Sequence, residues 1–282
     1  MKNKVSVIIP VYNRAQHLSK AVNSVLDQSS PAYEIIVVDD GSTDNTSKII
    51  QQYGSKISCL RQENKGPAAA RNLGIMNASG ELIAFLDSDD WWHKDKLQRQ
   101  VARMEEEPSF LVSHTDETWY RRGQHLNQKN KHKKYHGYIY DKCLPLCAVS
   151  PSTVMARKEL FNQIGLFDET LPCCEDYDLW LRVSIQHQFL LIDKPLTLKD
   201  GGRPDQVSFI HRIGIDKYRI KSLQKILSTP ELLNAEQRSL AFKELEYKCR
   251  IYGNGCLKHG KPKEAEFYLG LPTKFRYESA LS

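Results

Sequence analysis

The chain has no segment approaching the ~18 to 20 consecutive apolar residues that cross a bilayer, so membrane contact is expected to be peripheral at most. Its seven cysteines contain no Cys-x-x-Cys couplet, and the adjacent Cys173 and Cys174 beside an isolated Cys59 make no pairing framework. Reduced thiols are expected. No Gly-x-Gly-x-x-Gly follows the first apolar run, where Tyr12-Asn13-Arg14 stands, which argues against a dinucleotide-dependent dehydrogenase. The same turn lacks the glycine-rich basic loop expected of a sugar nucleotidyltransferase. A net charge of +6 falls short of the clustered excess of a nucleic-acid binder, and no recognition motif accompanies it. Nor is the chain short of apolar residues: 40% hydrophobic beside 26% charged describes a folded globular protein.

The basic start, Met1 to Lys4, leads into apolar residues that stop at Tyr12-Asn13-Arg14 with no small-residue cleavage site behind them. That stretch reads as a first strand, and a cytoplasmic location is expected, at the inner face of the membrane if near one at all. A length of 282 residues allows one substantial core with a small appendage. Val5 to Val11 is β-branched and apolar, and Leu18, Ala21, Val22, Val25 and Leu26 then recur at helical spacing. Glu34 to Asp39 predicts a second strand, and Ser42-Thr43-Asp44 offers capping chemistry for a helix through Ile50. Ile57 to Arg61 is a third strand, Pro67 to Ala78 a helix closed near Gly80, and Leu82 to Leu86 a fourth strand. This α/β alternation predicts a parallel sheet covered on both faces, with ligands at the carboxyl ends of its strands.

Beyond Asp90 the pattern changes to a charged helix near Lys94 to Glu106 and two short strands, near Phe110 to Ser113 and Thr118 to Arg121. A basic loop, Lys129 to Lys134, follows and is read as solvated, with contact to anionic lipid or a phosphate-linked acceptor as the other reading. The division expected is a catalytic domain over residues 1–209 and a helical extension over 210–282. Within the extension Tyr252 to Leu269 resembles one tetratricopeptide-like hairpin, and one unit alone is no repeat array.

Asp87-Ser88-Asp89 ends a buried strand, where residues two apart face the same way, so two carboxylates converge. Paired hard oxygens suit Mn²⁺ or Mg²⁺ held together with substrate phosphates; taken alone, the same residues also read as a strand-to-helix turn. Val38-Asp39-Asp40-Gly41-Ser42 sets a second acidic pair at a neighbouring strand end, and a turn with a helix cap leaves its doubled aspartate unexplained. Glu175-Asp176 precedes the amphipathic Leu179, Trp180 and Val183, so it opens a helix whose dipole favours ionised carboxylates. Those acids serve either as a base or as first-turn residues chosen for the dipole. Trp180 reads as core rather than as a stacking platform.

Pro10-Val11-Tyr12-Asn13, Val38-Asp39-Asp40-Gly41-Ser42, Asn64-Lys65-Gly66, Arg71-Asn72, Asp87-Ser88-Asp89 and Glu175-Asp176-Tyr177-Asp178-Leu179-Trp180 together resemble, over residues 4 to 205, the ordered motifs of family 2 glycosyltransferases. The resemblance implies a GT-A fold, a mixed Rossmann-like sheet between helices, and inverting transfer from a nucleotide diphosphate sugar, usually of uridine, in polysaccharide biosynthesis. The acceptor it implies is a hydroxyl on a glycan or lipid-linked molecule. It assigns Pro10, Tyr12, Asn13 and Asp40 to the nucleoside and Gly66 and Arg71 to the base and phosphates. Asp87, Ser88 and Asp89 fall to the ribose, diphosphate and metal. Asp176 becomes the general base, with Glu175 orienting the acceptor, and His211 completes the metal or diphosphate shell. The Gly201-Gly202-Arg203-Pro204 loop is a candidate to close over the diphosphate, with Arg203 on phosphate. The rival readings are a non-catalytic sugar-nucleotide-binding scaffold and a nucleotidyltransferase.

Overall fold

A computed structural model describes residues 4–121 and 123–278. The first half alternates strand and helix: β1 (Val5–Val11), α1 (Ala15–Leu26), β2 (Glu34–Asp39), α2 (Thr46–Gln51), β3 (Ser58–Arg61), α3 (Pro67–Asn77) and β4 (Leu82–Phe85). β5 (Asp90–Trp92), α4 (Lys96–Glu106), β6 (Val112–Arg121), β7 (Gln124–Leu126), α5 (Tyr140–Cys143), β8 (Val154–Arg157) and α6 (Lys158–Ile164) follow. The rest comprises α7 (Glu175–Gln186), β9 (Phe189–Asp200), α8 (Val207–Ile210), α9 (Asp216–Leu227), α10 (Ala235–Lys258) and α11 (Pro262–Glu278).

The strands form one sheet in the order β3-β2-β1-β4-β8-β6-β9-β5, with β7 paired to β6. β1 is central to its parallel part, and alternation along it splits the core. Val7, Ile9 and Val11 meet Leu18, Val22 and Val25 of α1 and Leu97 and Met104 of α4 on one face. Ile8 meets Ala68, Ala70 and Ile75 of α3, and Trp180 of α7, on the other. Trp180 is therefore core, edge-on to Phe167 and Phe189 with ring centroids 6.3 Å from each.

The sheet is mixed and not parallel throughout: β8 runs antiparallel to both β4 and β6, and β6 runs parallel to β9. Its parallel half ends at β4, where no crossover helix returns the chain to the same edge. The two short strands expected between Phe110 and Arg121 are one strand, β6, whose register to β9 shifts between Thr115 and Asp116 and again between Asp116 and Glu117. Buried His114, Thr115 and Glu117 interrupt its apolar text, which is why the sequence reads as two pieces. Ser42-Thr43-Asp44 does not supply the N-cap of α2, which is Asn45; the Asp44 carboxylate instead accepts from the Thr46 amide at 2.9 Å, inside the first turn.

The terminal helices are part of this core. Ile220, Leu223 and Ile226 of α9, Ala241 and Leu245 of α10, and Leu271 and Phe275 of α11 join the face that holds Trp180. α10 and α11 form the hairpin expected around Tyr252 to Leu269, closed by edge-on contact of Tyr252 with Tyr268 and by the Tyr252 hydroxyl donating to Glu264 at 2.7 Å. Among the described residues no helix is long and apolar enough to cross a membrane.

Candidate active site

The carboxyl ends of β1 and β2 lie side by side, with Val11 opposite Asp39. Asp39 closes the following turn by accepting from the Ser42 amide at 2.9 Å. Asp40 reaches across to the strand-to-helix connection after β3: it accepts from Gln62 Nε2 at 2.7 Å, the Lys65 amide at 2.9 Å and the Gly66 amide at 2.8 Å. Gly41 lies against that connection at φ +77°, and a Cβ there would stand 2.8 Å from the Asn64 nitrogen, so neither the backbone nor the space accepts a side chain. The doubled aspartate is thus resolved into one turn cap and one loop anchor. A carboxylate offers about four lone-pair sites, so one site on Asp40 remains for a further donor.

Asn13 is also a tie. At φ +51° its Oδ1 accepts from the Thr43 amide at 2.8 Å and the Asp44 amide at 3.2 Å, which pins the turn after β2 to the end of β1. Pro10 is buried within β1 opposite Val38, whereas Tyr12 is 43% exposed beside the Asp40 loop, a flat ring open to solvent.

Arg71, on α3, is buried, and its guanidinium joins the two halves of the site. Nη2 donates to Asp87 Oδ1 at 2.6 Å and Nη1 to Glu175 Oε1 at 2.7 Å. Burial works to raise the Asp87 carboxyl, but Arg71 and then Lys199 outweigh it and hold the group below its ordinary range. Glu175, more deeply buried, is left above its ordinary range by that burial despite Arg71. Arg71 thus pairs with two carboxylates, and Glu175 pairs with Arg71.

Ser152 sets the backbone here, its Oγ accepting from the Asp87 amide at 3.0 Å and donating to buried Asp90 at 2.7 Å. Ser88 is buried between the two outward carboxylates, Asp87 and Asp89. Asp89 Oδ2 accepts from the Arg203 guanidinium and from Gln206 Nε2, the latter at 3.1 Å. The 201–206 segment thus lies over Asp89, held from below by the Arg14–Asp205 ion pair at 2.8 Å. His17 of α1 also faces this cluster: burial first, and then Arg203, push its imidazole below the ordinary value.

Asp87 gives one oxygen to Arg71 and Asp89 one to Arg203 and Gln206, so each retains an oxygen for a hard cation. That donor set fits Mn²⁺ or Mg²⁺ shared with a diphosphate, since such ions keep few protein ligands. It does not fit an all-protein cage: among the described residues no group of three or more His, Cys, Asp or Glu could hold a metal. His211 is not gathered with the aspartates. Its ring packs edge-on against Tyr218, 5.9 Å between centroids, because the short α8 carries it toward α9.

Asp176 stands in the first turn of α7, half-buried, its Oδ1 accepting from the Tyr177 amide at 2.7 Å. Asp178, also in that turn, is a structural anion held by Arg182 and Lys225, both at 2.9 Å. The helix starts from Cys174 at φ +64°, a left-handed residue that turns the Glu175 and Asp176 pair sharply off the incoming chain. Asp176 lines a pocket with Glu117, Trp119, His132, Lys134 and Lys199. None of these neighbours belongs to a sequence motif, and Lys134 leaves the loop it was grouped with to turn inward against Glu117, at 3.2 Å. Of these, Glu117 is marked only by the polar residues inside β6, and Lys134 only by its place in the basic stretch.

The model of the family described as Glycosyl transferase family 2 matches residues 6–165. The Escherichia coli protein WfgD, a UDP-Glc:alpha-D-GlcNAc-diphosphoundecaprenol beta-1,3-glucosyltransferase, is 36% identical over 184 residues, 64% of this chain and 69% of that protein. Staphylococcus aureus TarS residues 1–349, solved with UDP-GlcNAc, superposes with a TM-score of 0.61 at 21% identity, covering 98% of this chain and 92% of the other. The Pyrobaculum calidifontis mannosyltransferase PcManGT, solved with GDP-Man and Mn²⁺, gives 0.64 at 15% identity over 99% and 88%. Those two likenesses show a GT-A type fold. The chain spans about a third of the length of other curated relatives that it matches at 39 to 41% identity.

Proposed function

Because the chain belongs to glycosyl transferase family 2, we propose that it moves a sugar from a uridine diphosphate donor to an acceptor hydroxyl, with inversion, and that Asp176 is the base. The observation that carries this reading is the Arg71 bridge, which holds the donor-side Asp87 and the helix of Asp176 on one buried guanidinium. A leaving-group site and a base site are thereby fixed across one gap, the arrangement that in-line displacement requires.

The nucleoside stacks on exposed Tyr12, and its base N–H takes the site left on Asp40. Asp87 and Asp89 would hold a divalent ion, which when bound would neutralise the charge that builds on the leaving diphosphate. Arg203 now sits on Asp89, and an oxyanion is the natural alternative partner for its planar fork. The acceptor oxygen attacks the anomeric carbon from the opposite side. As that bond forms, the bond from the anomeric carbon to the diphosphate oxygen breaks, its electron pair leaves on the diphosphate, and the hydroxyl proton passes to Asp176. A carboxylate is too weak a base to ionise an alcohol beforehand, so the assistance is given in the transition state.

WfgD's activity on a UDP-sugar supports a uridine donor here, and PcManGT's Mn²⁺ supports the metal. A thermal-shift panel of uridine, guanosine and adenosine diphosphates, with Mn²⁺ or with chelator, tests the donor class. Ligand at 100 times Kd stabilises by about 2.7 kcal/mol, so uridine diphosphate with Mn²⁺ raises Tm by several degrees in the wild type and not in Asp89→Asn. Equal shifts with all three nucleotides, or a full shift in chelator, would remove the assignment.

A further inference from the structure

Glu117 is the most unusual charged group outside the donor site. Its side chain is 2% exposed, deep inside a nine-stranded sheet, on the strand position just past the register shift in β6. A bulge of this kind re-aims the residue beside it. Oε1 accepts from Trp119 Nε1 at 2.9 Å and faces Lys134 Nζ at 3.2 Å. Oε2 is buried and has no partner. Burial works to raise this carboxyl, but Lys134 and then Lys199 pull it down to about 2, so it is an anion at neutral pH. An ionised carboxylate accepts hydrogen bonds and donates none, and a buried acceptor left bare is destabilising. Among the described residues no donor satisfies this oxygen.

Glu117 lines the wall of the pocket that also contains Asp176, with a volume of about 190 Å³. Sites that engulf drug-sized ligands run from ~300 to 1,000 Å³, so this one suits a single ring. The chemistry of its walls narrows the occupant further. Lys134 and Lys199 balance Glu117 and Asp176, so the walls favour a neutral occupant. Trp119, with His132 packed at 4.6 Å between centroids, offers an aromatic surface. A neutral ring with several hydroxyls satisfies all three features at once.

We propose that this pocket receives the terminal sugar of the acceptor, and that Glu117 Oε2 accepts a hydrogen bond from one hydroxyl of that ring so that another is presented to Asp176. Glu117 is then a positioning residue that sets which hydroxyl is glycosylated. The proposal rests on Asp176 being the base.

The test uses the whole protein with uridine diphosphate and Mn²⁺ present. The probes are the methyl α- and β-pyranosides of glucose, galactose, mannose and N-acetylglucosamine, with binding read by saturation-transfer NMR. Glu117→Gln keeps an oxygen for Trp119 and Lys134 while its NH₂ replaces the free acceptor with a donor. At least one glycoside binds the wild type and binds Glu117→Gln tenfold or more weakly, while the uridine diphosphate Kd stays within twofold. Among monodeoxy analogues of that glycoside, one binds wild type as weakly as the parent binds the variant, and loses nothing further in the variant. Should Glu117→Gln fail to melt cooperatively, Glu117→Asp, which keeps the charge and withdraws the oxygen, is read in the same way. Glycoside affinity unchanged in the folded variant, or no glycoside binding to a wild type that binds uridine diphosphate, would overturn the proposal. Failure of the wild type to bind uridine diphosphate would instead overturn the donor reading.

Discussion

His114 is fully buried on β6, with Nε2 donating to the Tyr135 carbonyl at 2.8 Å and Nδ1 left without a partner. Protonation would place a second N–H where nothing accepts it. Burial, and then the nearby Lys134 charge, accordingly lower its pKa from an ordinary 6.5 to about 4. A base depressed in the folded state favours unfolding once the unfolded chain binds the proton. Its contribution is intact above pH 6.5 and is lost as pH falls toward 4, a total of roughly 3 kcal/mol at 1.36 kcal/mol per unit. Wild-type Tm measured from pH 7.5 to 4 falls through this window, and His114→Gln flattens the fall there; an unchanged slope would mean that the imidazole does not control it. Arg71 makes a second prediction at this scale. Arg71→Met strands buried Glu175 and frees Asp87, so about 3 to 5 kcal/mol of stability should go, as when one member of a buried pair is deleted. Tm within 2 °C of wild type would refute the bridge. Sequence alone marked Arg71, Asp87 and Glu175 as site residues, but could not show that they touch. Arg71 lies 104 positions from Glu175, and no spacing rule reaches that far.

At the scale of elements, helix α3 carries Arg71 and is seated on β1 at Gly74. A Cβ at that position would stand 2.5 Å from Ile8 Cγ2, and Ile8 is fully buried in the central strand with nowhere to move. Gly74→Ala should overpack the contact at about 1 to 3 kcal/mol, lower Tm by a few degrees, and slow turnover because Arg71 shifts with the helix. Wild-type Tm and turnover in that variant would show that the contact relaxes freely. The elements best read from sequence, β1, β2 and α3, have one unbroken period each. β6 was read as two pieces and β9 was not read at all, because each serves two environments. β9 leaves the core at Asp193 and Lys194 and returns to it at Leu196 and Thr197, and β6 hides a bulge among polar residues whose function is inside the protein. A strand that builds a site breaks the alternation by which strands are recognised.

Over the whole molecule, alternating strands and helices followed by a helical tail were legible, and so was the edge at which ligands gather. The mixed half of the sheet was implied by the family resemblance alone and not by periodicity. It is assembled from strands far apart in sequence, and local periodicity carries no information on which of them pair. The positions of Glu117, Lys134 and Lys199 beside Asp176 depend on that half, which explains why these neighbours were not visible in motifs. The central claim, that Asp176 takes the acceptor proton, is tested most directly by uridine diphosphate release from a panel of uridine diphosphate sugars, with water or the methyl glycosides as acceptor. Asp176→Asn keeps the shape and removes the base, so release should fall by ~10² to 10⁴ with uridine diphosphate affinity within twofold of wild type. Glu175→Gln, which keeps a hydrogen bond to Arg71, should be milder. Near-normal release from Asp176→Asn, or a deeper loss in Glu175→Gln than in Asp176→Asn, would contradict the account.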